Sequence, residues 1–237
     1  MKTLFLKSSF ILDKETRRAW LQALSSNRVL ENVVFFNTNL RKVKNGDLED
    51  LIHKCPNLTT LKTSFVDINK LGTLFSSARK LKEFWSSQRA AGGEQIMYAP
   101  PKLPEQLCSL GIGDITGEAM ILLVNGSSTA SKLTELNLLI GLFSRSSCCD
   151  LIRLCPNLRV LLASNVIGDD GLVEVGKCCP RLRRVRIEAA ISDHEERSRI
   201  TEIGLLALAV GCKQLEKLAV YTHSITSETL SCFGTHC

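Results

Sequence analysis

The chain alternates short apolar segments with amphipathic ones, and one pattern returns along its whole length. Residues 158–163 read Leu-Arg-Val-Leu-Leu-Ala, so the first, fourth and sixth positions are apolar or small. Side chains of a strand point alternately to opposite faces, so this pattern predicts a short strand with one buried face. The stretch Gly-Asp-Asp-Gly at 168–171 predicts a turn, followed by an amphipathic helix over residues 172–178. One strand and one helix cannot bury their apolar faces alone, so neighbouring copies are required.

Such copies are present, because the pattern L-x-x-L-x-L occurs nine times when other apolar or small residues are allowed at its second and third core positions. Subtracting successive starting positions gives spacings of 23 to 33 residues, and only the last exceeds the ~20–29 residues of a leucine-rich repeat. The pattern therefore predicts an α/β leucine-rich-repeat solenoid, a horseshoe with parallel strands on its inner face and helices on its outer face. We expect one repeat domain over residues 1–237. The repeats begin at Met1, Leu30, Leu58, Leu81, Leu107, Leu133, Leu158, Leu182 and Leu215.

The two ends of the repeat array carry no recognisable polar capping repeat. Met1 already occupies the first core position of a strand, and Cys237 falls where another repeat would begin. Solenoids normally need capping repeats with a polar outer face. We therefore expect the array to be truncated at both ends, as the middle section of a longer solenoid.

Composition narrows the function only slightly. The chain has 237 residues, 44% of them hydrophobic, and a formal net charge of +6, which does not indicate nucleic-acid binding. No stretch approaches the ~20 apolar residues that cross a membrane, so we expect neither a nucleic-acid nor a membrane partner. Four of the ten cysteines hold the same repeat position, which indicates packing, and no C-x-x-C pair suggests zinc. No catalytic motif appears, so we expect a protein that is not an enzyme.

Strand alternation also predicts which side chains face solvent on the inner surface, Ser109 among them. Arg184, Arg186 and Lys217 gather there on adjacent strands, ~5 Å apart, with Tyr221 beside them. Arginine can bind a carboxylate or phosphate through two parallel hydrogen bonds, and a tyrosine hydroxyl can add another. A solvated basic face, balanced by Glu188 and the run at 193–196, is the other interpretation. Trp85 and Phe36 are interpreted as part of a partner surface, and His194 and His223 as solvated residues.

Several segments resemble the coronatine-insensitive F-box proteins, the jasmonate receptors of plants, and more distantly the auxin receptors. The similarity is close from about residue 149 to 234 and weaker but colinear over residues 1–142. The segments that carry it are 155–158, 165–172, 183–188, 204–221 and 225–230.

The resemblance implies a mechanism for the full-length family. An N-terminal F-box docks to the adaptor of a cullin-type (SCF) ubiquitin ligase in the nucleus, with the cytoplasm as a second location. The repeats bind a jasmonate–amino-acid conjugate, with an inositol polyphosphate as cofactor beneath it, and then the degron of a transcriptional repressor, which is ubiquitylated. By the same resemblance, Arg186 contacts the hormone or degron, Tyr221 hydrogen-bonds the hormone, and Arg184 contacts the polyphosphate. The insertion at 189–201 corresponds to a family loop beside the pocket.

The sequence also departs from the family pattern. No F-box is recognisable, so adaptor docking is expected only from a longer chain. Ser164 stands where the family has an arginine, Ala189 and Ala190 replace Arg-Gly, and an aromatic residue expected near Leu139 and Ile140 is missing. The alternative function is therefore a truncated, repeat-only interaction scaffold that neither senses the hormone nor docks to the ligase.

Overall fold

The computed structural model describes two compact units, Met1–Thr129 and Ala130–Cys237. The described residues are 1–7, 23–24, 26–36, 45–63, 71–86, 100–189, 200–222 and 225–237. Phe36 as a side chain, His194, His223 and most of the insertion at 189–201 lie outside the described residues, and so do the expectations placed on them.

Among its described residues, the first unit has five strands that pair in parallel in sequence order. Each strand begins within two residues of the predicted start of its repeat, and the helices between them supply apolar side chains to the core. Its elements are β1 (Thr3–Lys7), β2 (Asn32–Phe36), α1 (Asn45–Lys54), β3 (Thr60–Thr63), α2 (Leu71–Ser77), β4 (Glu83–Ser86), β5 (Ser109–Ile112) and α3 (Gly117–Asn125).

The second unit repeats the same arrangement, and its described part has four more strands, which also pair in parallel and in sequence order. Its strands are β6 (Glu135–Asn137), β7 (Val160–Ser164), β8 (Arg184–Glu188) and β9 (Lys217–Val220). Its helices are α4 (Arg145–Leu154), α5 (Gly168–Cys178), α6 (Glu202–Gly211) and α7 (Ser227–His236), and 3₁₀ turns cover Ala130–Lys132 and Asn165–Ile167.

The repeat residues form the core, as their periodicity predicts. Leu158, Leu161 and Ala163 are 0%, 0% and 1% exposed, and Leu172 and Val175 of α5 are fully buried opposite them. Burial of these side chains is the main favourable term in folding, at ~25 cal/mol per Å² of apolar surface. The α/β leucine-rich-repeat fold is therefore confirmed.

The repeated cysteines are packing residues, also as predicted. Cys179 donates through its thiol to the carbonyl of Cys155 at 3.6 Å, and Cys212 donates to that of Cys179 at 3.4 Å. Burial raises the pKa of Cys155 and of Cys212 to about 12, so both thiols stay protonated at neutral pH. The thiols of Cys179 and Cys212 thus form a ladder of buried donors that links one repeat to the next.

Three local expectations were wrong. Residues 168–171 are not a turn before a helix, because α5 already begins at Gly168. Gly168 has φ +57°, a left-handed conformation that glycine adopts without strain. The next two residues, Asp169 and Asp170, are acidic, which suits a helix N-terminus. Met1 is 61% exposed, since β1 is at the end of the strand order. Ser109, expected to face solvent, is buried because the indole of Trp85 donates to its hydroxyl at 2.7 Å.

Helices α5 and α6 approach each other through two glycines. A Cβ added to Gly211 would lie 2.1 Å from the carbonyl oxygen of Gly176 and 2.5 Å from its Cα. Both obstacles are backbone atoms, so a side chain there must push the helices apart. The spacing of α5 and α6 therefore depends on the absence of side chains at these two positions.

We predict that Gly211→Ala destabilises the chain by about 1–3 kcal/mol, the usual cost of overpacking. Gly234→Ala on α7 is the matched control, since a Cβ there meets nothing within 4 Å and alanine favours a helix. Chemical denaturation of both variants provides the measurement. A Gly211→Ala variant as stable as the control would contradict the close contact.

Acidic side chains in the first turn of one helix bind the start of the next. Asp169 Oδ1 of α5 accepts from the backbone N–H groups of Thr201 and Gly204 at 2.8 and 3.2 Å. Glu202 Oε1 of α6 accepts from the backbone N–H of Thr226 at 2.7 Å and from the hydroxyl of Thr229 at 3.1 Å. These bonds satisfy donors that a helix N-terminus leaves unpaired. Each helix is thereby tied to its successor.

Glu202 should make stability depend on pH. The hydrogen bond from Thr226 is the largest cause that lowers the pKa of Glu202 below its ordinary value of 4.5. A lowered folded-state pKa stabilises the fold above the unfolded pKa, and this contribution is lost as pH falls through the folded pKa. We expect the free energy of unfolding of the wild type to fall more steeply below pH 4.5 than that of Glu202→Gln. Parallel slopes in denaturation curves between pH 6 and pH 3 would contradict this role.

Candidate functional site

The predicted site residues lie together on the exposed face of β8 and β9, and we call this surface the β8–β9 face. On β8 the residues alternate between exposed and buried, with Val185 and Ile187 in the core. Strand alternation then places the other residues on one exposed side. The face consists of Arg184, Arg186, Glu188, Lys217, Ala219 and Tyr221.

Parallel pairing sets the neighbours on this face. Arg184 lies opposite Lys217, and Arg186 lies opposite Ala219. Tyr221 follows β9, and its backbone N–H donates to the carbonyl of Ile187 at 3.3 Å, which extends the ladder by one residue. Tyr221, 56% exposed, therefore lies opposite Glu188. The structure brings the three predicted site residues onto two adjacent strands.

Arg184 and Lys217 form a like-charge pair across the strands. Directly opposite residues of paired strands lie ~5 Å apart, and like charges at that position are destabilising. Within the described part of the chain, neither cation has a carboxylate partner, whereas the neighbouring Arg183 pairs with Glu216 at 3.4 Å. An anion between Arg184 and Lys217 would relieve their repulsion. Lys217 is therefore a candidate site residue that the family resemblance alone does not identify.

Arg186 has a partner on its own strand. Its Nη2 lies 2.5 Å from Oε1 of Glu188, and the two side chains are 63% and 45% exposed. The residues are two apart, so both project from the same face of β8. The sequence predicts for Glu188 only a part in the general charge balance, whereas in the structure it is the direct counter-ion of Arg186. The spacing of two between opposite charges on a strand was the signal for this contact.

The side of β8 that faces β7 is mainly apolar. Leu162 lies opposite Arg186, and Val160 lies opposite Arg184. Ser164, which replaces the arginine of the family pattern, lies opposite Glu188. The surface beside Arg186 therefore combines one paired cation with aliphatic neighbours, which suits an anion that carries an apolar body.

The first unit has a separate cluster on its sheet. Lys62 Nζ lies 4.2 Å from the ring centroid of Trp85 and 3.2 Å from Oε2 of Glu83. The indole also donates to Ser109, so its polar group and its contact with the cation are both satisfied within the unit. Whether Trp85 contributes to a partner surface stays a prediction.

Metal binding and membrane crossing are two other possibilities for the described segments. They contain no group of three or more His, Cys, Asp or Glu side chains able to hold a metal ion. None of their helices has both the length and the apolar character that crossing a membrane requires.

Comparison with known proteins identifies relatives of this chain. No family model matches the chain. Over its whole length the chain is 38% identical to coronatine-insensitive protein homolog 1a of Oryza sativa subsp. indica, and 34% identical to coronatine-insensitive protein 1 of Arabidopsis thaliana. The chain is homologous to the coronatine-insensitive proteins. It spans 40% of the length of these two relatives. The resemblance read from the sequence is thereby confirmed.

Two further matches are more distant. The chain is 27% identical to a transport inhibitor response 1-like protein of Oryza sativa subsp. japonica, of which it covers 42%. Among solved structures, the leucine-rich repeat-containing protein LegL7 of Legionella pneumophila has a TM-score of 0.52 at 11% identity, with 99% of this chain and 81% of LegL7 covered. That likeness concerns the fold alone.

We predict that Lys217→Gln stabilises the chain in anion-free buffer of low ionic strength, because it removes the repulsion with Arg184. The gain should shrink as salt is added, since salt screens exposed charges over ~8–10 Å. Arg183→Gln is the control, because it removes one positive charge but breaks an attractive pair with Glu216. Thermal denaturation at low and high salt measures both. Equal behaviour of the two variants would contradict the like-charge pair.

Proposed function

We propose that the chain is the hormone- and degron-recognition part of a jasmonate co-receptor, a non-catalytic substrate receptor of an SCF-type ubiquitin ligase acting in the nucleus. The single observation that carries the proposal is the grouping of Arg184, Arg186 and Tyr221. Sequence alternation and family resemblance selected these residues separately, and they share one exposed face. Homology with the coronatine-insensitive proteins supports the same conclusion.

The chemistry of the β8–β9 face fits the ligands. In this proposal, the carboxylate of a jasmonate–amino-acid conjugate is bound by Arg186, and the hydroxyl of Tyr221 donates to the hormone. The apolar body of the conjugate packs against Leu162 and Ala219, the neighbours of Arg186 on β7 and β9. The bound hormone then forms part of the surface that accepts the repressor degron.

An inositol polyphosphate would lie at the other end of the face. Arg184 and Lys217 offer two adjacent cations without carboxylate partners among the described residues, and a phosphate group would neutralise both. This arrangement supports the polyphosphate as a cofactor. Lys217 would join Arg184 as its second ligand.

Docking to the ligase adaptor is assigned to an F-box in a longer chain. The 237-residue chain alone is therefore expected not to pull the adaptor down, whereas a longer chain that includes an F-box should do so. The repeats would then recognise the hormone and the degron, and the F-box would attach the receptor to the ligase.

We predict that the chain binds a labelled repressor degron peptide only when a jasmonate–amino-acid conjugate is present. Arg186→Ala should weaken this binding by about tenfold or more, because a hydrogen bond to a charged group is lost, worth about 1.5–3 kcal/mol. Tyr221→Phe keeps the ring and should cost about twofold to tenfold, for one neutral hydrogen bond. Fluorescence polarisation of the peptide measures the affinities.

Arg183→Ala is the control for this experiment, since Arg183 is exposed but lies outside the β8–β9 face and pairs with Glu216. Its affinity should match the wild type. Unchanged binding in both Arg186→Ala and Tyr221→Phe would remove the site assignment. Degron binding that is independent of the conjugate would favour a repeat-only interaction scaffold instead.

A further inference from the structure

We propose that Glu188 is a built-in competitor for the ligand carboxylate at Arg186 and thereby sets which ligands the site accepts. The inference rests on the proposed function, because it assumes that Arg186 is the residue that binds the hormone. It concerns a residue outside the set that the family resemblance selected. In the unliganded chain, the guanidinium is already held by an acceptor of the same chemical class as the ligand.

Within the described part of the chain, Arg186 makes one ion pair, and its partner is Glu188. Across the strands its neighbours are Leu162 on β7 and Ala219 on β9, neither of which can accept a hydrogen bond through its side chain. Along β8 the guanidinium meets Glu188, with 2.5 Å between Nη2 and Oε1. The contact draws the guanidinium toward the row of the face that holds Tyr221, since Tyr221 lies opposite Glu188.

A ligand carboxylate that binds both Arg186 and Tyr221 must enter this same row. It would then meet the carboxylate of Glu188, and two anions in one place repel each other. The ligand binds when Glu188 gives up the guanidinium and turns toward solvent, which its 45% exposure permits. Glu188 therefore opposes binding in two ways, by occupying Arg186 and by repelling the incoming anion.

This opposition selects among anions. A bare carboxylate only exchanges one ion pair for an equivalent one and gains nothing. A ligand that also packs an apolar body against Leu162 and Ala219 and accepts from Tyr221 gains contacts that Glu188 does not supply. Arg184 and Lys217 face no such competitor among the described residues. On this reasoning, Arg186 binds only anions that make further contacts, whereas Arg184 and Lys217 bind anions by charge alone.

The expected effect is modest and measurable. Exposed ion pairs contribute about 0.2–1 kcal/mol, so removal of the competitor should raise affinity for the conjugate by a factor of about 1.4 to 5. Isothermal titration calorimetry of the jasmonate–amino-acid conjugate with the 237-residue chain compares wild type, Glu188→Gln and Glu216→Gln. Glu216→Gln is the matched control, because Glu216 is 51% exposed and pairs with Arg183 outside the face.

A second measurement needs no ligand. Phenylglyoxal modifies free guanidinium groups, and mass spectrometry of the digested chain reports the rate at Arg186. We expect Arg186 to react faster in Glu188→Gln than in wild type, and at the wild-type rate in Glu216→Gln.

The outcomes separate the competitor from the proposed function. Faster modification together with tighter conjugate binding in Glu188→Gln, but not in Glu216→Gln, supports the proposal. Wild-type chain that binds the conjugate while Glu188→Gln binds it equally or more weakly overturns the competitor and leaves the proposed function standing. Faster modification without conjugate binding by any variant overturns the hormone assignment, and with it the competition for a hormone.

Discussion

The parallel register of β7, β8 and β9 is the constraint on which the site depends. Val185 and Ile187 are buried at 2% and 3% exposure, and this burial turns Arg184, Arg186 and Glu188 outward together. A slip of one residue would exchange the two sets and place two guanidinium groups in the core. Burial of unpaired charges is too costly for that alternative to compete. The same apolar residues that stabilise the repeat therefore also aim its charges.

Helices α5 and α6 also constrain the relative position of β8 and β9. Gly176 and Gly211 let α5 and α6 meet at backbone contact, and Asp169 of α5 holds Thr201 at the start of α6. Thr201 also ends the insertion at 189–201, so the aspartate fixes the point at which the chain returns to the repeat. The packing of α6 against α5 matters because the chain connects β8 to β9 through the insertion and α6. The relative position of Arg186 and Tyr221 then depends on the packing of α5 against α6 and on the bond from Thr201 to Asp169, rather than on the length of the connection.

Much of this could be predicted from the sequence, because the repeat rests on local periodicity. The pattern L-x-x-L-x-L identifies buried positions one by one, and subtraction leaves the outward residues, so Arg184, Arg186 and Tyr221 could be placed on one face before any coordinates. Periodicity says nothing about side-chain contacts across that face. The start of α5 at Gly168 was missed because it depends on a backbone conformation with φ +57°.

The burial of Ser109 was missed for a related reason, since it results from the long reach of Trp85 from the adjacent strand. Alternation along one strand cannot report a side chain that arrives from another. The same limit explains why Arg186 and Glu188 were identified as outward residues but not as a pair. Strand alternation therefore predicts on which face a side chain lies, whereas its contacts depend on the length, rotamer and charge of that side chain and its neighbours.

The cations of the β8–β9 face differ in their charged neighbours, and this difference matters more for anion binding than the net charge of the face. Arg184 and Lys217 repel each other across the strands, so an anion that binds there is helped by the relief of existing repulsion. Arg186 is already compensated by Glu188, so an anion that binds there must first replace an existing attraction. Two cations of equal formal charge on one strand thus differ in what they demand of a ligand. In the proposed site, charge alone suffices for an anion to bind Arg184 and Lys217, whereas an anion at Arg186 needs apolar contact and a hydrogen bond as well.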